Sequence, residues 1–275
     1  MATANFPDLS DAAWQQTRAT LQAYAQVLGA IRAALAPRQK HWWHVPLTVS
    51  AAGLTTTAIA VGEHVVELVL SPIDHCLYAV TNRGETREIP LQGQPLAEFC
   101  DIALGALAGL GAVAEIERGK FSSTEPLPYD RAAATRFWQV LPLIDAAFKR
   151  LKAEHRGESG PVVLWPHGFD LALLLFTGRQ IPGADPADEE AADEQMNFGF
   201  APGDGAIPEP YFYATAFPTP AGFVGAPLPA GASWHTHDWN GAVLRYSALR
   251  AMDDPSERLL EFLRAARDAG MGRMK

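Results

Sequence analysis

Apolar residues along this chain recur first at helical spacing, then at extended spacing, and the same switch happens a second time. That alternation limits the fold more than any single motif does. From Asp11, the residues Leu21, Tyr24, Leu28, Ile31 and Leu35 repeat every three or four positions, after a Ser10 cap and before Pro37. They predict an amphipathic helix of about six turns. Val45, Leu47 and Val49 then alternate with other residues, and Gly53 punctuates. The apolar runs Leu54 to Val61, His64 to Leu70 and Cys76 to Thr81 follow, separated by turn signals at Val61-Gly62, Ser71-Pro72 and Asn82-Arg83-Gly84. Connections this short favour an antiparallel meander. A second helix opens at Pro95, with Leu96, Phe99, Cys100, Ala103, Leu104 and Leu107 on one stripe, and ends near Gly109 and Gly111.

The pattern then restarts. Phe137, Leu141, Ile144, Phe148 and Leu151 mark a third long helix, and the extended runs Val162 to Trp165, Leu171 to Phe176, Tyr211 to Phe217 and Ala242 to Tyr246 come after it. Asp254, Pro255 and Glu257 form a capping box for a last helix. The expected fold class is α+β: one globular domain over 1–275, with antiparallel sheets, about four main helices and two similar halves, 10–118 and 130–272. Pro182 to Glu194, crowded with Asp, Glu and Ala, reads as a solvated loop. The proline-rich stretch Ala201 to Ala230 reads as ordered loop around a single edge strand, Tyr211 to Tyr213.

Composition narrows the function classes. With 48% hydrophobic and 19% charged residues in 275, the chain can bury a full core. Its formal charge of −9 repels phosphate backbones and anionic lipid, so neither nucleic acid nor a membrane surface is an expected partner. Cys76 and Cys100 sit in apolar surroundings with no CxxC spacing and read as reduced core thiols, which points to the cytoplasm. Met1 to Ser10 lacks the pattern of a signal peptide, and no apolar run is long enough to span a bilayer.

Common catalytic signatures are missing. No GxGxxG follows a strand, no phosphate-binding P-loop occurs, and neither HExxH nor GxSxG is present. What remains are aromatic and histidine clusters. His41-Trp42-Trp43-His44 lies where the first helix meets the first strand, and Trp165-Pro166-His167-Gly168-Phe169-Asp170 lies at the corresponding junction of the second half. In an extended segment His41 and His44 would point to opposite faces, which makes a shared metal awkward. Asp170, leading into an apolar strand, needs a partner, for which Arg179 is a candidate. If the halves pack about a pseudo-twofold axis, His44 and Asp170 would face each other. His235-Thr236-His237 would place two imidazoles on one strand face, beside Asp238, but no third metal ligand is identifiable. Glu209 stands beside Tyr211, Phe212 and Tyr213, a combination found in aromatic-lined pockets.

The chain resembles a mainly bacterial family catalogued only as a domain of unknown function, numbered five-nine-nine-six. The resemblance rests on His41-Trp42-Trp43-His44-Val45 with Gly53-Leu54-Thr55-Thr56, and on Ile73-Asp74-His75 with Arg136-Phe137-Trp138. It continues in Gly168-Phe169-Asp170-Leu171-Ala172 with Phe176 and Gly178-Arg179, and in Pro208-Glu209-Pro210 with Phe212-Tyr213-Ala214. The likeness covers nearly the whole chain and implies no activity. It places the His41 and Asp170 neighbourhoods in the shared pattern, and His235-Thr236-His237 departs from that pattern.

Two functions are compatible with these residues. One is a small-molecule enzyme using His41, His44, Asp170 and Glu209 as its acid–base set, with Arg179 holding an anionic group. The other is a non-catalytic binding or interaction protein, with Trp42, Trp43, Arg179 and Tyr213 lining a ligand groove. The sequence specifies no cofactor, reaction or oligomeric state.

Overall fold

The computed structural model describes residues 6–274; the first five residues of the Met1–Ser10 segment considered above lie outside them. The protein is α+β, with two antiparallel sheets, and its chain divides into two compact units. One comprises Leu9–Pro142 with Val163–Phe169. The other comprises Leu143–Val162 and everything described from Asp170 on, together with residues 6–8.

The first unit begins with α1 (Ala12–Leu35), whose buried stripe includes Leu21, Tyr24, Leu28 and Ile31. The Asp11 carboxylate, not Ser10, caps it by accepting the Trp14 N–H at 2.7 Å. Six strands follow: β1 (Thr48–Val49), β2 (Leu54–Thr55), β3 (Ile59–Val61), β4 (His64–Ser71), β5 (Cys76–Thr81) and β6 (Thr86–Pro90). They pair antiparallel in the order β1-β2-β4-β5-β6, with β3 also on β4. The expected single run Leu54 to Val61 is therefore two strands. Thr57, at a φ of 59°, turns the chain between them. Gly53 is required where β2 meets β4, because a Cβ there would lie 2.3 Å from the Leu70 carbonyl oxygen. Helix α2 (Leu96–Ala108) packs on α1, the Tyr24 and Phe99 rings stacking with centroids 3.9 Å apart. Helix α3 (Arg131–Glu154) contributes its first half here, where Phe137 stacks between Trp14 and Phe169 at 4.6 and 5.6 Å. The last piece is β7 (Val163–Trp165).

The second unit holds the rest of α3 and five strands: β8 (Asp170–Gln180), β9 (Asp193–Ala201), β10 (Tyr211–Phe217), β11 (Ala232–His235) and β12 (Gly241–Arg245). Between β8 and β9 lies the short α4 (Glu189–Ala192). All five strands are antiparallel, in the order β11-β12-β10-β9-β8. Two helices follow the sheet, the short α5 (Tyr246–Arg250) and the longer α6 (Pro255–Met271). As the capping box predicted, the Asp254 carboxylate accepts the Glu257 N–H at the start of α6. Two expectations for this half are corrected. The solvated loop ends early, because Asp193 already begins β9. And β10 is interior, flanked by β9 and β12, because its prolines lie just outside it, at 210 and 218, and leave every ladder donor in place.

Candidate functional site

The sequence candidates divide between the units. In the first, the chain leaving α1 reverses sharply through a short 3-10 turn, Lys40–Trp42. His41 and Trp42 take consecutive left-handed conformations, with φ of 51° and 58°. Each such residue costs about 1–3 kcal/mol of strain. The reversal buries His41 and His44 and leaves Trp42 48% exposed, with the Arg38 guanidinium 5.0 Å above its ring. His44 Nδ1 accepts the Gln39 N–H at 3.2 Å. Burial, then Arg38 and Arg32, push the His44 imidazole below its ordinary value, so it is neutral at pH 7. The half-buried Trp43 tilts against His41 at 5.2 Å. Leu47 and Leu164 exchange backbone hydrogen bonds of 2.9 and 2.7 Å, and Gln22 of α1 donates to the His167 carbonyl.

Asp170 opens β8 in the second unit, and its Oδ2 accepts the Tyr213 hydroxyl at 2.7 Å. The pairing expected between Asp170 and Arg179 is not made. Arg179 lies nine residues farther along β8, roughly 30 Å away at strand rise, and binds Glu194 at 2.5 Å. Glu209 is likewise committed, to the Arg245 guanidinium at 2.6 Å and the Ser247 hydroxyl at 2.5 Å.

Around Tyr213 a more concentrated site emerges. Residues opposite one another across an antiparallel sheet share a face. One such row runs Ala172, Gly199, Tyr213, Val243, Ser233. The two small residues leave a shelf on which the Tyr213 ring lies, reaching β8 and Asp170. A Cβ on Gly199 would be 2.1 Å from the ring. Two positions earlier on the same strand face, the Tyr211 hydroxyl donates to Asp204 Oδ2 at 2.5 Å, and Asp204 Oδ1 accepts the Ala206 and Ile207 N–H groups at 2.8 Å each. Trp239 completes the cluster. Ring centroids are 6.2 Å apart for Tyr211 and Tyr213, 6.5 Å for Tyr211 and Trp239, and 6.4 Å for Tyr213 and Trp239, an almost equilateral triangle. His235 lies 4.3 Å from Trp239, its Nε2 2.6 Å from Asp238 Oδ1.

A model of a family of unknown function, DUF5996, matches residues 6–275. The chain belongs to that family. No curated protein and no solved structure matches it. The candidate site joins Asp170, Tyr211, Tyr213, His235 and Asp238, which the sequence singles out, with Asn197, Asp204 and Trp239, which it does not.

Electrostatics fix the protonation of the triangle's polar groups. Burial and then Asp204 push the Tyr211 phenol well above its ordinary value, and burial and then Asp170 do the same to Tyr213, whose hydroxyl end is enclosed although the residue is half-buried. Burial works to raise the Asp204 carboxyl, but the Tyr211 hydroxyl and the Ile207 and Ala206 N–H groups outweigh it and hold the group low. The Tyr211–Asp204 pair is thus a protonated donor on an ionised acceptor, a fixed hydrogen bond with no proton to exchange near neutrality. Asn197, on the same sheet face, hydrogen-bonds Tyr213, while its Oδ1 is buried with no donor among the described residues. No group of three His, Cys, Asp or Glu side chains among the described residues could hold a metal. The strand face expected to carry both His235 and His237 does not form, because β11 ends at His235.

Of the triangle, sequence reasoning names Tyr211 and Tyr213 in one aromatic run, with Tyr213 as a ligand-binding candidate, and beside it Asp170 as a catalytic candidate. Its legible signal was the Tyr-x-Tyr alternation of β10. Asp204 and Trp239 are brought in by loops, whose paths no periodicity encodes.

Proposed function

We propose that this protein is a small-molecule-binding protein, and that its ligand sits on the Tyr211, Tyr213 and Trp239 triangle of the β8–β12 sheet. One observation carries the reading: Tyr213 lies across a shelf kept open by Gly199, with its hydroxyl held by Asp170, so the ring is fixed before any ligand arrives. Prefixed rings spare a ligand the entropic cost of ordering its site. A few polar groups beside apolar walls are also what small-molecule sites commonly present.

Binding rather than acid–base chemistry fits the charge states. The Tyr211 phenol stays protonated and Asp204 stays ionised, so their pair orients and does not relay protons. A reducing cytoplasm suits the two free, buried thiols, Cys76 and Cys100.

The test is a thermal-shift screen of purified protein against amines, carboxylates, sugars and nucleosides. A ligand at ten times its Kd stabilises the fold by about 1.4 kcal/mol. At least one class raises Tm in the native protein and fails to do so in Trp239→Ala. If every class is silent, or if the shift survives in Trp239→Ala, the proposal falls.

A further inference from the structure

Within the first unit, an open pocket of about 330 Å³ lies beside α2, in the size range of small-molecule sites. One face of the helix and the chain that follows it line the space. Asp101, Gly105 and Ala108 stand at i, i+4 and i+7 and so share a face, with Leu104 next to them. The loop after α2 adds Val113, which is 73% exposed, and the 3-10 turn Arg118–Phe121 adds Arg118. Gly105 has no packing reason to be glycine. Glycine weakens a helix more than any residue except proline, yet a Cβ at 105 would meet no atom within 4 Å. What the missing side chain keeps clear is the pocket. Two charges flank it: Arg118 Nη1 donates to Asp101 Oδ1 at 2.7 Å, and both side chains are 64% exposed. Neither group is saturated. Among the described residues the guanidinium has no other acceptor, and Asp101 Oδ2 has no donor.

Each ligand class meets this arrangement differently. A simple anion gains Arg118 and faces Asp101, and a simple cation gains Asp101 and faces Arg118. A neutral apolar group packs on Leu104, Ala108 and Val113 and uses neither charge. A zwitterion with its two charges on adjacent atoms meets both, its carboxylate on the spare guanidinium donors and its ammonium on Asp101 Oδ2. An aliphatic side chain on the same molecule then covers the apolar residues. We propose that the α2 pocket binds a free α-amino acid with a branched aliphatic side chain. The site shares no residue with the triangle and stands independently of it.

Amide NMR titrations of the full protein test this with three probes: L-leucine, 4-methylpentanoate, which lacks the ammonium, and 3-methylbutylamine, which lacks the carboxylate. Leucine should bind about fivefold more tightly than either, the margin of one well-placed exposed ion pair, and should move the resonances of Asp101 to Arg118. Trp239→Ala should bind leucine as the native protein does. Gly105→Leu fills the pocket from an unobstructed position, so it should keep the native Tm and weaken leucine binding by about tenfold or more. Arg118→Gln should weaken leucine and strengthen 3-methylbutylamine. Equal affinity for the three probes, leucine shifts outside Asp101 to Arg118, loss of leucine binding in Trp239→Ala, or unchanged binding in a folded Gly105→Leu would each overturn the proposal. Should Gly105→Leu lower Tm, Arg118→Gln decides alone, and an unchanged affinity for leucine there overturns it.

Discussion

Tyr213 can lie flat on its sheet only because position 199 has no side chain. In Gly199→Ala the new Cβ would overlap the ring carbons at 2.1 and 2.2 Å, so the ring must lift and release Asp170. Overpacking of this kind costs about 1–3 kcal/mol; urea denaturation of Gly199→Ala should show a loss of that size, and an unchanged midpoint would mean the shelf is not needed. A second residue works against stability. Asp145 is buried on α3, its Oδ2 held by Lys149 at 2.6 Å and its Oδ1 buried with no donor among the described residues. Burial raises its carboxyl above the ordinary 3.8, although Lys149 pulls the other way. The folded state therefore binds this proton more tightly than the unfolded state. Between 3.8 and the raised folded value, stability contributed by this group falls as pH rises, and above that window the ionised form is at its most costly. Asp145→Asn should stabilise the protein at pH 7 by up to about 1 kcal/mol, since Lys149 is half exposed and returns to water. The gain should disappear below pH 3.8, where the carboxyl is protonated in both states. A loss at pH 7 in denaturation curves would show that the ion pair outweighs the burial.

Among the elements, α6 shows how far local chemistry reaches. Asp254 sits at a φ of 51° and still caps the helix through Glu257. Asp254→Ala removes the cap and keeps the strained backbone, so it should cost about 1–2 kcal/mol, whereas Asp254→Asn should cost a few tenths. Equal losses, measured by thermal unfolding, would mean the cap contributes nothing. Such signals were legible because they are local: α1 and its stop, the α2 stripe, the meander turns and the capping box are each set by residues within a few positions of one another. Long-range pairing was not legible in the same way. β9 hides behind the acidic run 182–194, because its alternation begins only at Asp193. β10 reads as an edge strand in the sequence because prolines crowd both its ends. The restart of the apolar pattern corresponds to α3 and to the second antiparallel sheet, β8 to β12. The site fared worse than the fold. The sequence offers Arg179 to Asp170 and names no partner for Glu209, yet strand pairing brings Glu194 of β9 to Arg179 and Arg245 of β12 to Glu209.

At the scale of the whole molecule, a chain with 31 acidic and 22 basic residues places carboxylates against tyrosine hydroxyls on one face of the β8–β12 sheet. Among the described residues no helix is long and apolar enough to cross a membrane. The strained corner at His41 and Trp42 is a rival location for a ligand, since it presents an exposed tryptophan. Amide NMR spectra recorded while a ligand is titrated separate the two directly. Resonances of Asn197 to Gly199, Tyr211 to Tyr213 and His235 to Trp239 should move together in a saturable way, while those of Arg38 to His44 stay fixed. Shifts confined to Arg38 to His44 would contradict the account.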